Sequence, residues 1–278
     1  MSYSQDMPTL NFAHRGGAAL YPENSLAAFR NAMALGCDGA ELDVQLSADG
    51  VAVVYHDARL HPGYTRQSGA WLEGEGPRVK DLTLAQLRGC DIGRLRPGSD
   101  YAKAHPGVQP VDGETIPTLE EVIALVAPTA DFRLQVELKS DTSDDSADPA
   151  ALADAALAVV EQADFLSRAI FVGFDWRALM RLHQVQPRAE IWCTSNHDIA
   201  GTAPLFNIIR GLGGRGWFPH FSQLTAEAAA LARSYDLRLG AWTVNDPDEM
   251  RRLRALGVDA ICTDCPDILN SLYHHGRA

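Results

Sequence analysis

Cysteine is scarce in this chain and odd in number: five residues, at 37, 90, 193, 262 and 265. A scattered, odd set argues against a disulfide framework. Cys262-x-x-Cys265 has the spacing of a redox pair. It closes a strand late in the sequence instead of opening a helix after an N-terminal strand, so these cysteines read as buried or helix-start residues. No run of about 18 apolar residues occurs, so no membrane span is expected. Residues 1–9 are short and polar without an apolar core, so no signal peptide is expected and a cytoplasmic location follows. Positive charge is in deficit: 24 Lys and Arg against 36 Asp and Glu give a net charge of −12. That excludes the basic footprint of a nucleic-acid binder. It does not exclude a small anionic substrate, because a local cation overrides the global field.

What is present is a large apolar fraction, 46% of 278 residues, enough for one large core or two small ones. Strand-like runs recur near 10–14, 39–45, 131–138, 168–173, 189–193, 214–218, 238–243 and 258–263. Helical patterns lie between and after them, over 24–35, 117–127, 149–164, 175–184, 203–212, 225–235, 246–256 and 265–274. Asn24, Asp175, Thr225, Asp246 and Asp264 read as helix caps. Alternating βα units predict a parallel sheet. Eight of them fit a closed (β/α)8 TIM barrel, for which about 250 residues is typical. The chain therefore reads as one catalytic domain over 1–278.

One region breaks the rhythm. Residues 46–116 hold a short strand at 51–55, a Gly/Pro/Arg-rich stretch and one or two helical turns after Asp81. That is too long for a plain loop. It reads as an insertion between barrel strands two and three, over the barrel mouth. Residues 140–149 read as an exposed, mobile acidic loop. Gly211-x-Gly213-Gly214-x-Gly216 imitates a dinucleotide fingerprint, but it follows a helix and precedes a strand, the wrong order.

Two strands carry carboxylates where apolar residues belong. In Gly39-Ala40-Glu41-Leu42-Asp43-Val44, the alternation of side chains puts Glu41 and Asp43 on one face. In Leu134-Gln135-Val136-Glu137-Leu138-Lys139, Glu137 and Lys139 share a face. Unpaired carboxylates on a buried strand face cost several kcal/mol, on the order of 3–5. A metal ion bound by all three is the simplest way to hold them. A buried ion-pair network with Lys139 and Arg15 is the competing reading, although three acids then face two bases. His14-Arg15-Gly16 ends the first strand, His56-Asp57 follows the short strand of the insertion, and Trp242 ends the seventh strand. All but His56 fall at the C-terminal ends of barrel strands, the catalytic rim of this architecture. The remaining histidines, at 61, 105, 183, 197, 220, 274 and 275, read as structural, and Gln45 and Asn245 receive no firm role.

The sequence resembles the glycerophosphodiester phosphodiesterases. The resemblance rests on Ala13-His14-Arg15-Gly16, Pro22-Glu23-Asn24-Ser25 with Ala28-Phe29, Gly39 to Gln45, Asp49-Gly50 with His56-Asp57, Ile116 to Glu121, Val136 to Lys139, Trp242 to Asn245, and Gly257 to Ile261 with Thr263-Asp264. These run in the family's order over nearly the whole chain. The resemblance implies a (β/α)8 barrel with an insertion in the same place. It implies that Glu41, Asp43 and Glu137 bind a divalent cation, Mg²⁺ or Ca²⁺, that His14 and His56 form an acid–base pair, that Arg15 and Lys139 lie against the phosphate, and that Trp242 stands at the site mouth. The chemistry agrees. A divalent ion neutralises a phosphodiester, all-oxygen donors select hard cations, imidazole suits both proton transfers, and arginine's planar fork fits phosphate.

The implied reaction releases sn-glycerol 3-phosphate and an alcohol such as choline or ethanolamine. The first nucleophile is open between water and the glycerol 2-hydroxyl. A lysophospholipase D-like activity on lipids is the alternative. It requires an apolar rim in the insertion, for which Tyr64, Trp71 and Leu72 are the candidates. A barrel that only binds phosphate-bearing ligands would need no acid–base pair. One departure stands out: where a Ser-Phe pair is expected after the fourth strand, this chain has Gly173-Phe174. Oligomeric state has no signature in the sequence.

Overall fold

The structure, a computed structural model, describes residues 9–140, 148–196 and 198–274, with side chains through 272. Most of the expected acidic loop, residues 1–8, His197 and His275 lie outside the described residues. In chain order the elements are β1 (Leu10–Ala13), α1 (Leu26–Ala34), β2 (Gly39–Leu46), β3 (Ala52–Val54), β4 (Arg66–Gln67), β5 (Ala70–Trp71), α2 (Leu84–Leu87), β6 (Cys90–Asp91), α3 (Asp100–Ala104) and α4 (Leu119–Val126). They continue with β7 (Arg133–Leu138), α5 (Pro149–Gln162), β8 (Ala169–Gly173), α6 (Trp176–Val185), β9 (Glu190–Ser195), α7 (Ala203–Gly211), β10 (Gly216–Pro219), α8 (Ala226–Ser234), β11 (Arg238–Ala241), α9 (Pro247–Ala255), β12 (Ala260–Thr263) and α10 (Pro266–His274).

Strands β1, β2 and β7 to β12 pair in parallel, and β1 bonds to both β2 and β12, which closes an eight-stranded barrel. This is the expected TIM barrel, with the expected strands and helices in place. Helix starts follow their capping residues. Thr118 and Glu121 form a reciprocal capping box on α4, while Asp175, Thr225 and Asp246 accept first-turn N–H groups of α6, α8 and α9. Two expected caps are reassigned. Ser25, not Asn24, caps α1, accepting from Ala28 N at 3.1 Å. Asp264 is not a helix cap; its carboxylate turns to the barrel rim, as described below.

Helices pack on the outer strand faces through a continuous core that includes Phe29, Leu42, Val136, Phe171, Phe206 and Leu239. The barrel interior is filled by Phe12, Ile170, Val172, Trp192, Phe218, Ala260 and Cys262. Trp192 fits because its neighbour on β10 is Gly216, where a Cβ would lie 2.4 Å from the indole Cγ.

The segment between β2 and β7 builds outward from the barrel. β3 folds back antiparallel on the end of β2, pairing Val54 with Val44. β4, β5 and β6 make a separate small antiparallel sheet. Val53, Tyr55, Leu60, Tyr64, Val79, Leu87, Cys90, Ile92 and Ile116 give this region its own buried cluster. Among the described residues no helix is long and apolar enough to cross a membrane.

Candidate active site

Strands β2 and β7 lie side by side in a register that places Asp43 opposite Glu137 and Glu41 opposite Gln135. Glu41 and Asp43 are 2% and 1% exposed. One carboxylate oxygen from each of Glu41, Asp43 and Glu137 lies within 4.8 Å of the others. The two expected cations are here too. Lys139 Nζ donates to Glu137 Oε1 at 2.9 Å and stands 3.7 Å from Asp43 Oδ1. Arg15 Nε is 3.4 Å from Asp43 Oδ2. The ion pairs of the competing reading therefore exist, but they do not balance the site.

Glu41 is the acid left short. Its Oε2 accepts the backbone N–H of Arg15 at 2.9 Å, while its buried Oε1 has no hydrogen-bond partner. Burial pushes the Glu41 carboxyl well above the ordinary carboxylate range, and Asp43 and Glu137 push it further. For Asp43 burial acts upward as well, but His56, Arg15 and Lys139 outweigh it and hold the group ionised below its ordinary range. An orphaned buried oxygen beside an excess of negative charge, in an all-oxygen donor set, fits a hard divalent cation.

His14 and Arg15 sit in a single 3-10 turn, His14–Gly16, at the end of β1. Arg15 has φ 51°, left-handed for a residue with a side chain, and this twist aims its N–H at Glu41. Gly16 at φ 84° packs so close to α1 that a Cβ would lie 2.7 Å from Ala28 Cβ. Arg15 Nη1 donates to both oxygens of Glu23 at 3.0 Å. His14 Nδ1 donates to Asp264 Oδ1 at 2.6 Å, and its Nε2 is 3.9 Å from Glu41 Oε2. Burial pushes Asp264 up, but His14, Asn245 and Arg15 together hold it at about 2. His56 is arranged in the same way: its Nδ1 donates to Asp57 Oδ1 at 2.7 Å. Each histidine thus uses Nδ1 on a carboxylate and keeps Nε2 for other chemistry.

A cavity of about 290 Å³ opens beside these groups, lined by Gln45, His56, Glu137, Lys139 and Phe174 among others. Trp242 lies just past β11, with its indole N–H donating to Phe218 O at 3.1 Å. Its ring meets Phe174 edge-on at 5.3 Å. Phe174 thus stands at the mouth although the preceding residue is Gly173.

Several residues near the site were not assigned from sequence. Gln45 Nε2 lies 2.7, 3.2 and 2.8 Å from the carbonyls of Tyr55, His56 and Asp57, pinning the turn that carries His56. Asn24, with φ 56°, donates Nδ2 to Asp43 Oδ2 at 2.8 Å. Asn245 donates Nδ2 to Asp264 Oδ2 at 2.6 Å. Of the candidates for the apolar rim that a lipid-directed enzyme requires, one is buried and two are half-buried. Tyr64 is 2% exposed, Leu72 packs on the insertion's buried cluster, and Trp71 lies under Arg66, 5.4 Å from its guanidinium carbon.

A TIM barrel that gathers acids, cations and a histidine at its strand ends, with a second histidine beside them from the insertion, is an enzyme scaffold. Comparison with known proteins narrows the class. The profile of the glycerophosphoryl diester phosphodiesterase family matches residues 14–268. A glycerophosphodiester phosphodiesterase from Caldanaerobacter subterraneus is 31% identical over 97% of this chain and 100% of its own length. A Silicibacter pomeroyi crystal structure, named as a candidate glycerophosphoryl diester phosphodiesterase, superposes with TM-score 0.90 at 32% identity, covering 98% of this chain and 95% of that one. A phosphodiesterase from Oleispira antarctica, solved with the product sn-glycerol-3-phosphate, gives TM-score 0.78 at 25% identity over 96% of this chain and 97% of that one. With that match spanning almost every element of the barrel, the chain belongs to the glycerophosphoryl diester phosphodiesterase family. It is an enzyme with glycerophosphodiester phosphodiesterase activity.

Proposed function

We propose that the chain acts as one catalytic domain that hydrolyses glycerophosphodiesters to sn-glycerol 3-phosphate and a free alcohol, with a divalent cation held by Glu41, Asp43 and Glu137. The observation that carries this reading is the convergence on one rim of a carboxylate triad and two histidines, each with Nδ1 on its own carboxylate. The product bound to the Oleispira antarctica protein supports the same substrate class. Mg²⁺ or Ca²⁺ suits the three carboxylates, and such an ion neutralises and orients the diester.

The chain's own groups divide the remaining work. Arg15, anchored on Glu23, presents its guanidinium to the phosphate. Lys139 sits beside Glu137 on the cavity wall, a second cation for the same anion. Of His14 and His56, one takes the proton of the attacking oxygen at Nε2 and the other returns a proton to the leaving alkoxide. Asp264 and Asp57 fix the two rings in the tautomer this needs. Trp242 and Phe174 close the mouth against the uncharged part of the substrate.

The histidines give the test. His14→Ala and His56→Ala should each lower kcat by roughly 10²–10⁴-fold, while calorimetric metal affinity stays near wild type. Near-normal turnover in both variants would remove the acid–base assignment.

A further inference from the structure

Resting on that reading, a second layer of the site is built from the insertion. His61, Tyr64, Tyr101 and His105 form a ring cluster: His61 stacks on Tyr64 at 4.8 Å and 11°, Tyr101 on His105 at 4.3 Å and 21°, and the two tyrosines meet tilted at 4.9 Å and 46°. The two phenol hydroxyls leave this cluster toward different parts of the site. Tyr64 Oη donates to Asp57 Oδ2 at 2.9 Å, on the carboxylate whose other oxygen holds His56 Nδ1 at 2.7 Å. Tyr101 Oη donates to Glu23 Oε2, on the carboxylate that takes the Arg15 guanidinium at 3.0 Å. Glu23 is 6% exposed, so its oxygens are satisfied by these partners and not by bulk water.

We propose that Tyr64 and Tyr101 are positioning residues. Tyr64 sets the ring of His56 through Asp57, and Tyr101 sets the guanidinium of Arg15 through Glu23. The cluster gives both hydroxyls one common base, because each tyrosine ring is stacked on a histidine and the two tyrosines pack against each other. Burial pushes both phenols up, and nearby carboxylates, Glu23 among them, push them further. Both therefore stay protonated and act as donors. The insertion in this way fixes an acid–base residue and a phosphate-binding residue without touching the substrate.

The test uses Tyr64→Phe and Tyr101→Phe, which keep the rings and remove one hydroxyl each. With glycerophosphocholine and Mg²⁺, Tyr64→Phe should lower kcat about 10-fold with KM within about threefold. Tyr101→Phe should raise KM and weaken inorganic phosphate binding, each about 10-fold, with kcat within about threefold. The ¹⁵N spectrum of the His56 ring, assigned by difference against His56→Ala, should change in Tyr64→Phe and not in Tyr101→Phe. Should Tyr101→Phe fail to fold, Glu23→Gln breaks the same link and should show the same KM effect. Wild-type kcat, KM, phosphate affinity and ring spectrum in both Phe variants, all within about twofold, would overturn the proposal. A wild-type protein without turnover, whose His56 ring spectrum still changes in Tyr64→Phe, would overturn the phosphodiesterase reading and retain the positioning role of Tyr64.

Discussion

His14 Nδ1 lies 2.6 Å from Asp264 Oδ1, joining the end of β1 to the end of β12 across the closure of the barrel. The contact unites two motifs that stand 250 residues apart. Replacing Asp264 with Asn keeps the shape and removes the charge. Asp264→Asn should lower kcat by about 10–100-fold with a smaller change in KM, because the ring loses its fixed tautomer. The same pair sets an acid-stability limb. Asp264 is held at about 2 against an ordinary value of 3.8, so its contribution is complete above about pH 4 and is lost as pH falls toward 2. About 2 kcal/mol should disappear over that window in wild type and be absent from Asp264→Asn, as read by urea unfolding at several pH values.

Glu41 has the opposite sign. Burial first, then Asp43 and Glu137, raise its carboxyl, so the metal-free fold is favoured by its protonated form. That contribution is present below the unfolded carboxylate range and is lost as pH rises through the raised value. Glu41→Gln should therefore raise the melting temperature of metal-free protein at neutral pH by a few degrees, about 2–4 °C per kcal/mol. It should also weaken divalent-cation binding at least 10-fold and abolish most turnover. Calorimetric titration and thermal melts on the same samples measure both effects, and a lower melting temperature in metal-free Glu41→Gln contradicts the account.

Gln45 tests the support of His56 from below. Gln45→Leu leaves the carbonyls of Tyr55, His56 and Asp57 without their shared donor. A loss of about 1–3 kcal/mol of stability is expected, with kcat falling about 10-fold as the His56 turn loosens. Chemical denaturation and steady-state kinetics on the variant read the two quantities.

Gly16 tests the turn that carries His14 and Arg15. Gly16→Ala combines a left-handed backbone at φ 84° with a Cβ 2.7 Å from Ala28 Cβ. The cost should be at least about 1–3 kcal/mol. Turnover should drop more than stability alone explains, since Arg15 and Glu41 must part if the turn moves away from α1.

The barrel was legible because its signals are local. Each βα unit carries its own apolar run, and residues such as Asp175, Thr225 and Asp246 mark helix starts where the structure has them. Glu41, Asp43 and Glu137 were legible for the opposite reason, as acids on strand faces that ought to be apolar. What escaped the sequence are side chains whose meaning lies in a distant partner. Glu23 meets Tyr101 across 78 residues, and Asp264 looks like any capping acid until His14 is placed beside it. Asn24 also looks like a cap, yet its left-handed backbone hands that task to Ser25 and turns its own amide to Asp43. Within the insertion, Tyr64 stands in a turn before β4, where no periodicity marks burial, so the rim candidate of the sequence proves to be a buried ring.

The central claim is a metal-dependent phosphodiester hydrolysis at the carboxylate triad. Its most direct test is release of glycerol 3-phosphate from glycerophosphocholine by purified protein, first untreated, then with EDTA, then with Mg²⁺ or Ca²⁺ restored. The account predicts turnover that chelation abolishes and one of these ions restores. Undiminished turnover in EDTA, with the protein shown to be free of metal, would contradict it.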